Sequence, residues 1–158
     1  MSNSSFAAQI TRYKSSGADS LKSELPGLLE QATKPDASTS LRYFVADLSL
    51  DLQLFDQALR MLTLIEQGQQ ESGLSDVHYN LVGFSKWELN DEAGAIEAYK
   101  HSLAINPSNV SSLRGLCLLL NGKGRDKEAL PYAKRWRGIV PEDPEAVEWS
   151  SVIEENCR

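Results

Sequence analysis

Two histidines and two cysteines are the residues of this 158-residue chain best suited to metal binding or nucleophilic chemistry. Zinc sites gather several such ligands at short spacings, for example Cys-x-x-Cys. His78, His101, Cys117 and Cys157 are far apart in sequence, and none has a second ligand at that kind of spacing. We therefore expect no metal, no cofactor and no cysteine nucleophile, with Cys117 as a small core residue and Cys157 as a tail thiol.

One glycine-rich segment, Gly122-Lys123-Gly124-Arg125, has the composition of a phosphate-binding loop. Such loops follow a β-strand, and no strand pattern precedes this one, so we interpret it as a solvated turn between helices. The Gly-x-Ser-x-Gly and His-Glu-x-x-His motifs of hydrolases and metalloproteases do not occur. The sequence therefore predicts that the protein is not an enzyme.

The composition is that of an ordinary globular protein, with 41% hydrophobic and 24% charged residues. No apolar run approaches the roughly 18 residues that a membrane span needs. The N-terminal segment lacks the basic and apolar regions of a secretory signal. Two unpaired cysteines fit a reducing compartment, so the expected location is the cytoplasm.

The net charge of −6 is unevenly distributed. Residues 110–141 contain seven basic and two acidic residues, whereas residues 142–158 contain six acidic residues and Arg158. We expect the acidic tail to neutralise the basic segment within the molecule. The alternative is that the basic segment binds nucleic acid or an acidic partner, and the acidic remainder of the chain disfavours nucleic acid.

An internal period of 34 residues organises the second half of the chain. Ala95 through Pro107 and Ala129 through Pro141 follow the same pattern of alanine, apolar residues and a terminal proline. Gly83 and Cys117 are also 34 apart and both small, which predicts a close approach of helix backbones there. Such a period indicates stacked pairs of helices.

These residues resemble the tetratricopeptide repeat (TPR) family. Residues 76–109 match its pattern through a set of six positions: Tyr79, Val82, Gly83, Ala95, Tyr99 and Pro107. Residues 110–143 match more loosely, through Leu113, Leu116, Cys117, Leu120, Ala129 and Pro141. The resemblance implies an all-α fold, a right-handed superhelical solenoid of antiparallel helix pairs.

The resemblance also implies how a single domain over 1–158 is divided. Residues 39–75, 76–109 and 110–143 are the expected repeats, 5–38 is a degenerate repeat or N-terminal cap, and 144–158 is a capping helix. Within 5–38 we expect helices at 5–15 and 18–32, the second kinked or split by Pro26. Asp91, Asp126 and Asp143 are expected helix caps. Trp136 should fill a cavity that the capping helix supplies.

In this family the first helices of successive repeats line a concave groove, and the predicted groove residues follow from that resemblance. They form an apolar, largely aromatic strip with polar neighbours: Tyr43, Asp47, Leu50, Asn80, Phe84, Trp87, Arg114 and Leu118. Aromatic residues and arginine are common anchors at interfaces. Asn80 and Arg114 do not complete the set with which some members grip a C-terminal carboxylate. The alternative is that Phe84 or Trp87 packs against the N-terminal segment.

The resulting prediction is a protein-interaction module or adaptor that binds a peptide or helix of a partner, with self-association left open. One alternative is a dedicated chaperone for a secretion substrate, since class II chaperones of type III secretion have similar size and repeats. A third hypothesis, nucleic-acid association through the basic third repeat, is less favoured.

Overall fold

The computed structural model describes residues 3–68 and 73–158. The chain divides into two compact units, Met1–Ser72 and Gly73–Arg158. Across the described residues of both units the regular structure is entirely helical. The predicted all-α class is therefore confirmed, whereas the repeat bounds and the single-domain organisation stay predictions.

The described part of the first unit contains four α-helices and one short 3-10 helix. In chain order they are α1 Asn3–Ser16, the 3-10 helix Ala18–Leu21, α2 Leu25–Ala32, α3 Thr39–Asp51 and α4 Phe55–Gly68. The helix expected over 18–32 is thus split. Because α2 begins at Leu25, Pro26 lies in its first turn, where a backbone N–H would have no helical acceptor.

Arg42 of α3 joins three helices of the first unit. Its buried guanidinium donates from Nε to the carbonyl of Ala32, from Nη2 to that of Lys34 and from Nη1 to that of Leu64, at 3.0–3.2 Å. The carbonyls at a helix C-terminus lack partners within the helix and favour a positive charge. Arg42 therefore satisfies the end of α2 and ties it to α4.

The second unit contains α5 Asp76–Glu88, α6 Glu92–Ile105, α7 Val110–Asn121, α8 Asp126–Ile139 and α9 Pro144–Asn156. Four of these helices begin at a side chain that accepts a backbone N–H: Ser75, Asp91, Asn109 and Asp143. The prediction that Asp126 caps α8 is wrong. The helix begins at Asp126 itself, and its carboxylate accepts from the amide of Asn121 at 2.6 Å.

The ring of Tyr99 on α6 is the centre of the second unit's core. A Cβ added at Gly83 of α5 would lie 2.8 Å from its Cδ1, and one added at Gly115 of α7 would lie 2.5 Å from its Cζ. Gly83 is therefore required by a ring rather than by a neighbouring backbone. At the other end, Trp136 is fully buried in a cluster with Ala146 and Ile153 of α9, which confirms the expected cavity.

We expect Gly115→Ala to lower the free energy of unfolding by roughly 1–3 kcal/mol, because a fully packed ring must move to admit the methyl group. Gly138→Ala is the matched control, since nothing lies within 4 Å of a Cβ added there. It should leave stability unchanged or raise it by up to about 1 kcal/mol. Urea denaturation measures both, and equal effects would contradict the packing of Tyr99.

Candidate functional site

Helices α5, α7 and α9 form one layer of the second unit. α5 contacts α7, and α7 contacts α9. α6 packs against α5 and α7, and α8 packs against α7 and α9. Asn80 Nδ2 of α5 donates to Ser112 Oγ of α7 at 3.0 Å. Arg114, which follows Asn80 by 34 residues, bonds Glu145 of α9. Asn80 and Arg114 are thus equivalent positions of the period, and each links its helix to the next helix of the layer.

An apolar row crosses this layer. Phe84, Leu118 and Val152 are successive positions of the 34-residue period, one each on α5, α7 and α9. Phe84 and Leu118 each follow the linking residue of their helix by four positions, one helical turn, and so lie on the same side. Phe84 is 37% exposed, and the other two side chains are half-buried. We call these three residues the apolar row.

Trp87 occupies a different environment from the apolar row. Its ring is half-buried and packs against the core cluster that contains Tyr99 and Leu116. Trp87 thus supports α5 from within, although the sequence predicts it as a groove residue beside Phe84. Val77 lies seven residues before Phe84 on α5, about two helical turns away on the same side, and is 55% exposed.

The guanidinium of Arg114 is already bound to a carboxylate of the chain. Its Nε lies 2.8 Å from both carboxylate oxygens of Glu145, and Nη2 lies 2.7 Å from one of them. The hydrogen bonds that Arg114 donates to Glu145 raise the pKa of the guanidinium above its usual value. In this arrangement Arg114 connects two helices, and the expectation that the acidic tail neutralises the basic segment holds for this residue.

The other predicted groove residues, Tyr43, Asp47 and Leu50, belong to the first unit. They follow one another at helical spacing on α3, where Tyr43 and Leu50 are half-buried and Asp47 is exposed. Partial desolvation of its carboxylate, and then the neighbouring charge of Asp51, raise the pKa of Asp47 although the residue as a whole is exposed. Asp51 itself accepts a hydrogen bond from the hydroxyl of Tyr13 at 2.6 Å.

The two histidines and the cations of the glycine-rich turn occupy structural positions. His78 is buried with its ring edge-on to Tyr79, and Tyr79 stacks on His101 with the ring centroids 3.9 Å apart.

Lys123 and Arg125 of the glycine-rich turn pair with Glu92 and Glu128. Over residues 3–68 and 73–158 there is no group of three or more acidic, histidine or cysteine side chains able to hold a metal ion. Nor does any described helix have the length and apolarity to cross a bilayer.

Val152 is the residue of the apolar row that the predicted groove set does not include. It lies on α9, for which the sequence predicts only a capping role. The 34-residue period contained the signal, because adding it to Leu118 reaches Val152. Within the second unit the layer therefore includes α9 as well as the two helices that carry predicted groove residues.

No family model matches the chain, and no curated protein matches it in sequence. Solved structures match over most of its length. A MamA protein is 17% identical, with 88% of this chain and 78% of that one covered and a TM-score of 0.74. The TPR domain of OM64 from Arabidopsis is 13% identical, with 81% and 98% covered and a TM-score of 0.66. YrrB, described as a TPR protein with an unusual peptide-binding site, is 17% identical, with 89% and 75% covered and a TM-score of 0.70.

The chain has a TPR-like fold. The resemblance seen in its sequence is thereby confirmed for the fold, including the class of helical repeat. At these identities the likeness carries no information about the ligand. The surface of this TPR-like chain must be interpreted from its own residues.

The two cysteines should differ sharply in reactivity. Cys117 is fully buried, and burial raises the pKa of its thiol to about 12, so the reactive thiolate is scarce at about pH 8. Iodoacetamide should therefore alkylate the half-buried Cys157 in the native protein and reach Cys117 only after denaturation. Mass spectrometry of the labelled peptides distinguishes the two. Equal labelling of both thiols in the native protein would show that Cys117 is accessible.

Proposed function

We propose that this TPR-like chain is a protein-interaction module that holds a polypeptide segment of a partner against the apolar row. The observation that carries the proposal is the row itself, with Phe84, Leu118 and Val152 at equivalent positions of three adjacent helices. Partly exposed apolar side chains at equivalent positions of neighbouring helices are the kind of feature that marks a binding site. We also propose that the protein acts by binding and not by catalysis.

The spacing of the row limits the kind of segment that it accepts. Packed helices lie about 10 Å apart, so successive positions of the row should recur at about that distance. An extended chain covers this in about three residues and a helix in about seven. The ligand should therefore present apolar side chains at every third residue in a polyproline II conformation, which has three residues per turn, or at every seventh if helical.

Asn80 and Arg114 support the surface in this proposal and do not grip the ligand. The Nδ2 of Asn80 donates to Ser112, and the guanidinium of Arg114 faces Glu145, so the main polar contacts of both side chains lie within the chain. A ligand carboxylate would have to displace Glu145. This arrangement favours apolar anchors over a carboxylate clamp as the source of affinity.

A similarity of fold is consistent with an interaction module. YrrB, which shares the fold, is described as binding peptide, and the same type of role is proposed here by analogy. Both cysteines are free thiols, which fits the proposed cytoplasmic location. The contribution of Tyr43, Asp47 and Leu50 stays a prediction that separate variants of the first unit can test.

Affinity capture with the purified chain as bait, followed by mass spectrometry, would identify the partner. Phe84→Ala with Leu118→Ala should then weaken binding of that partner by roughly tenfold or more, the loss typical of an interface anchor. Ile105→Ala with Ile139→Ala is the matched control, because both residues are exposed apolar side chains outside the row, at 46% and 37%. Calorimetry with purified partner gives the affinities.

Unchanged affinity of the row variant, or an equal loss in the control, would show that the row is not the binding surface. Denaturation of each variant separates lost binding from lost folding. A partner that aggregates alone and stays soluble only in the complex would indicate the chaperone role, whereas a stable partner at fixed stoichiometry would indicate the adaptor role.

A further inference from the structure

The seven basic residues of positions 110–141 fall into two groups. Arg114, Lys123 and Arg125 pair with Glu145, Glu92 and Glu128 respectively. The second group has no carboxylate within ion-pair distance anywhere in the described chain, and all four of its members are exposed residues of α8: Lys127, Lys134, Arg135 and Arg137. We call these four residues the α8 basic face.

The four cations share one side of α8. Lys127 and Lys134 are seven residues apart and project in nearly the same direction, with Arg135 and Arg137 on either side. The opposite side of the helix carries its buried residues, Ala129, Ala133 and Trp136. From Lys127 to Arg137 the face spans about 15 Å along the helix axis.

The acidic residues that could have neutralised this face are engaged elsewhere or remain outside pairing distance. Glu145 is bound to Arg114, and Glu128 is bound to Arg125 through two hydrogen bonds of 2.7 Å. The expected neutralisation of the basic segment by the tail therefore fails for α8. Lys100 of α6 adds to the positive potential near this face. The pKa of Glu128 is lowered mainly by its hydrogen bonds with Arg125 and further by the charge of Lys100.

We propose that the α8 basic face docks an acidic segment of a protein, rich in aspartate or glutamate. Four like charges on one helix face repel one another, and a partner of opposite charge relieves that repulsion and is steered toward it. This surface is separate from the apolar row, and its occupancy does not depend on the proposed function of that row.

The extent of the face favours a polypeptide over nucleic acid. Proteins that bind duplexes through the backbone make about 6–10 phosphate contacts, and a face of four cations within about 15 Å offers fewer. A duplex would also extend beyond the face over a molecule whose net charge is −6. A short acidic segment matches the face in length and charge and avoids that repulsion.

Fluorescence anisotropy with the full chain tests the proposal. The probe is a labelled peptide of alternating glutamate and serine, about 12 residues long so that it can span the face. A peptide of the same length with glutamine for glutamate, and a single-stranded DNA of similar length, serve as comparison probes. The acidic peptide should bind more tightly than either, and added salt should weaken its binding.

The decisive variant replaces all four cations of the face, as Lys127→Gln, Lys134→Gln, Arg135→Gln and Arg137→Gln. Its matched control removes four exposed cations of the first unit, as Lys14→Gln, Lys22→Gln, Lys34→Gln and Arg60→Gln, and has the same net charge. The first should weaken peptide binding by roughly tenfold or more, as the combined loss of several exposed ion pairs. The control should bind nearly as the parent does.

Three outcomes would overturn the proposal. They are tighter binding of DNA than of the acidic peptide, equal losses in the two quadruple variants, and no binding of the acidic peptide by the parent chain. Circular dichroism of both variants verifies folding, which the exposed positions of the replaced side chains should preserve. The Phe84→Ala and Leu118→Ala variant should bind the acidic peptide normally, which separates this surface from the apolar row.

Discussion

The contact of the Tyr99 ring with two glycines determines how three helices of the second unit pack. Gly83 of α5 and Gly115 of α7 lie against the same ring, which α6 supplies. A side chain at either glycine would have to displace a fully packed aromatic group, which is costly in a close-packed interior. The same three helices are joined by hydrogen bonds from Asn80 to Ser112 and from Ser112 to Ser102, at 3.0 and 2.7 Å. This polar chain requires the short separation that the glycines permit.

The apolar row depends on that packing being repeated. α7 stands between α5 and α9 and contacts both. The pair of Arg114 with Glu145 links α7 to α9 where Asn80 links α5 to α7. An exposed ion pair contributes about 1 kcal/mol or less. Burial of Trp136 against Ala146 and Ile153 is therefore the larger contribution that holds α9 in place. Through it, Val152 can extend a surface begun by Phe84 and Leu118.

Local rules predicted the parts of this structure that depend on local sequence. The caps at Asp91 and Asp143 and the split near Pro26 follow from residues within a few positions of the feature, and the period of 34 follows from comparing equivalent positions along the chain. The prediction of a cap at Asp126 was wrong because the amide of Asn121 occupies its carboxylate across the turn, and residue preferences for caps do not include that contact. Arg42 was beyond such rules, since its acceptors at Ala32, Lys34 and Leu64 meet only after three helices have packed. Val152 could have been found by extending the period, and a capping role for α9 obscured it.

Charge and stability are largely separable in the second unit. Its stability comes from apolar burial around Tyr99 and Trp136, since each exposed pair adds little. The cations of the α8 basic face contact no carboxylate within the described chain, so folding does not account for their clustering on one side of the helix. A helix of a stable solenoid tolerates many polar residues on its outer face, and a mixture of signs would avoid repulsion. Four cations on one helix face of a chain that is otherwise acidic are therefore better explained by a counter-charge on a partner than by the requirements of the fold.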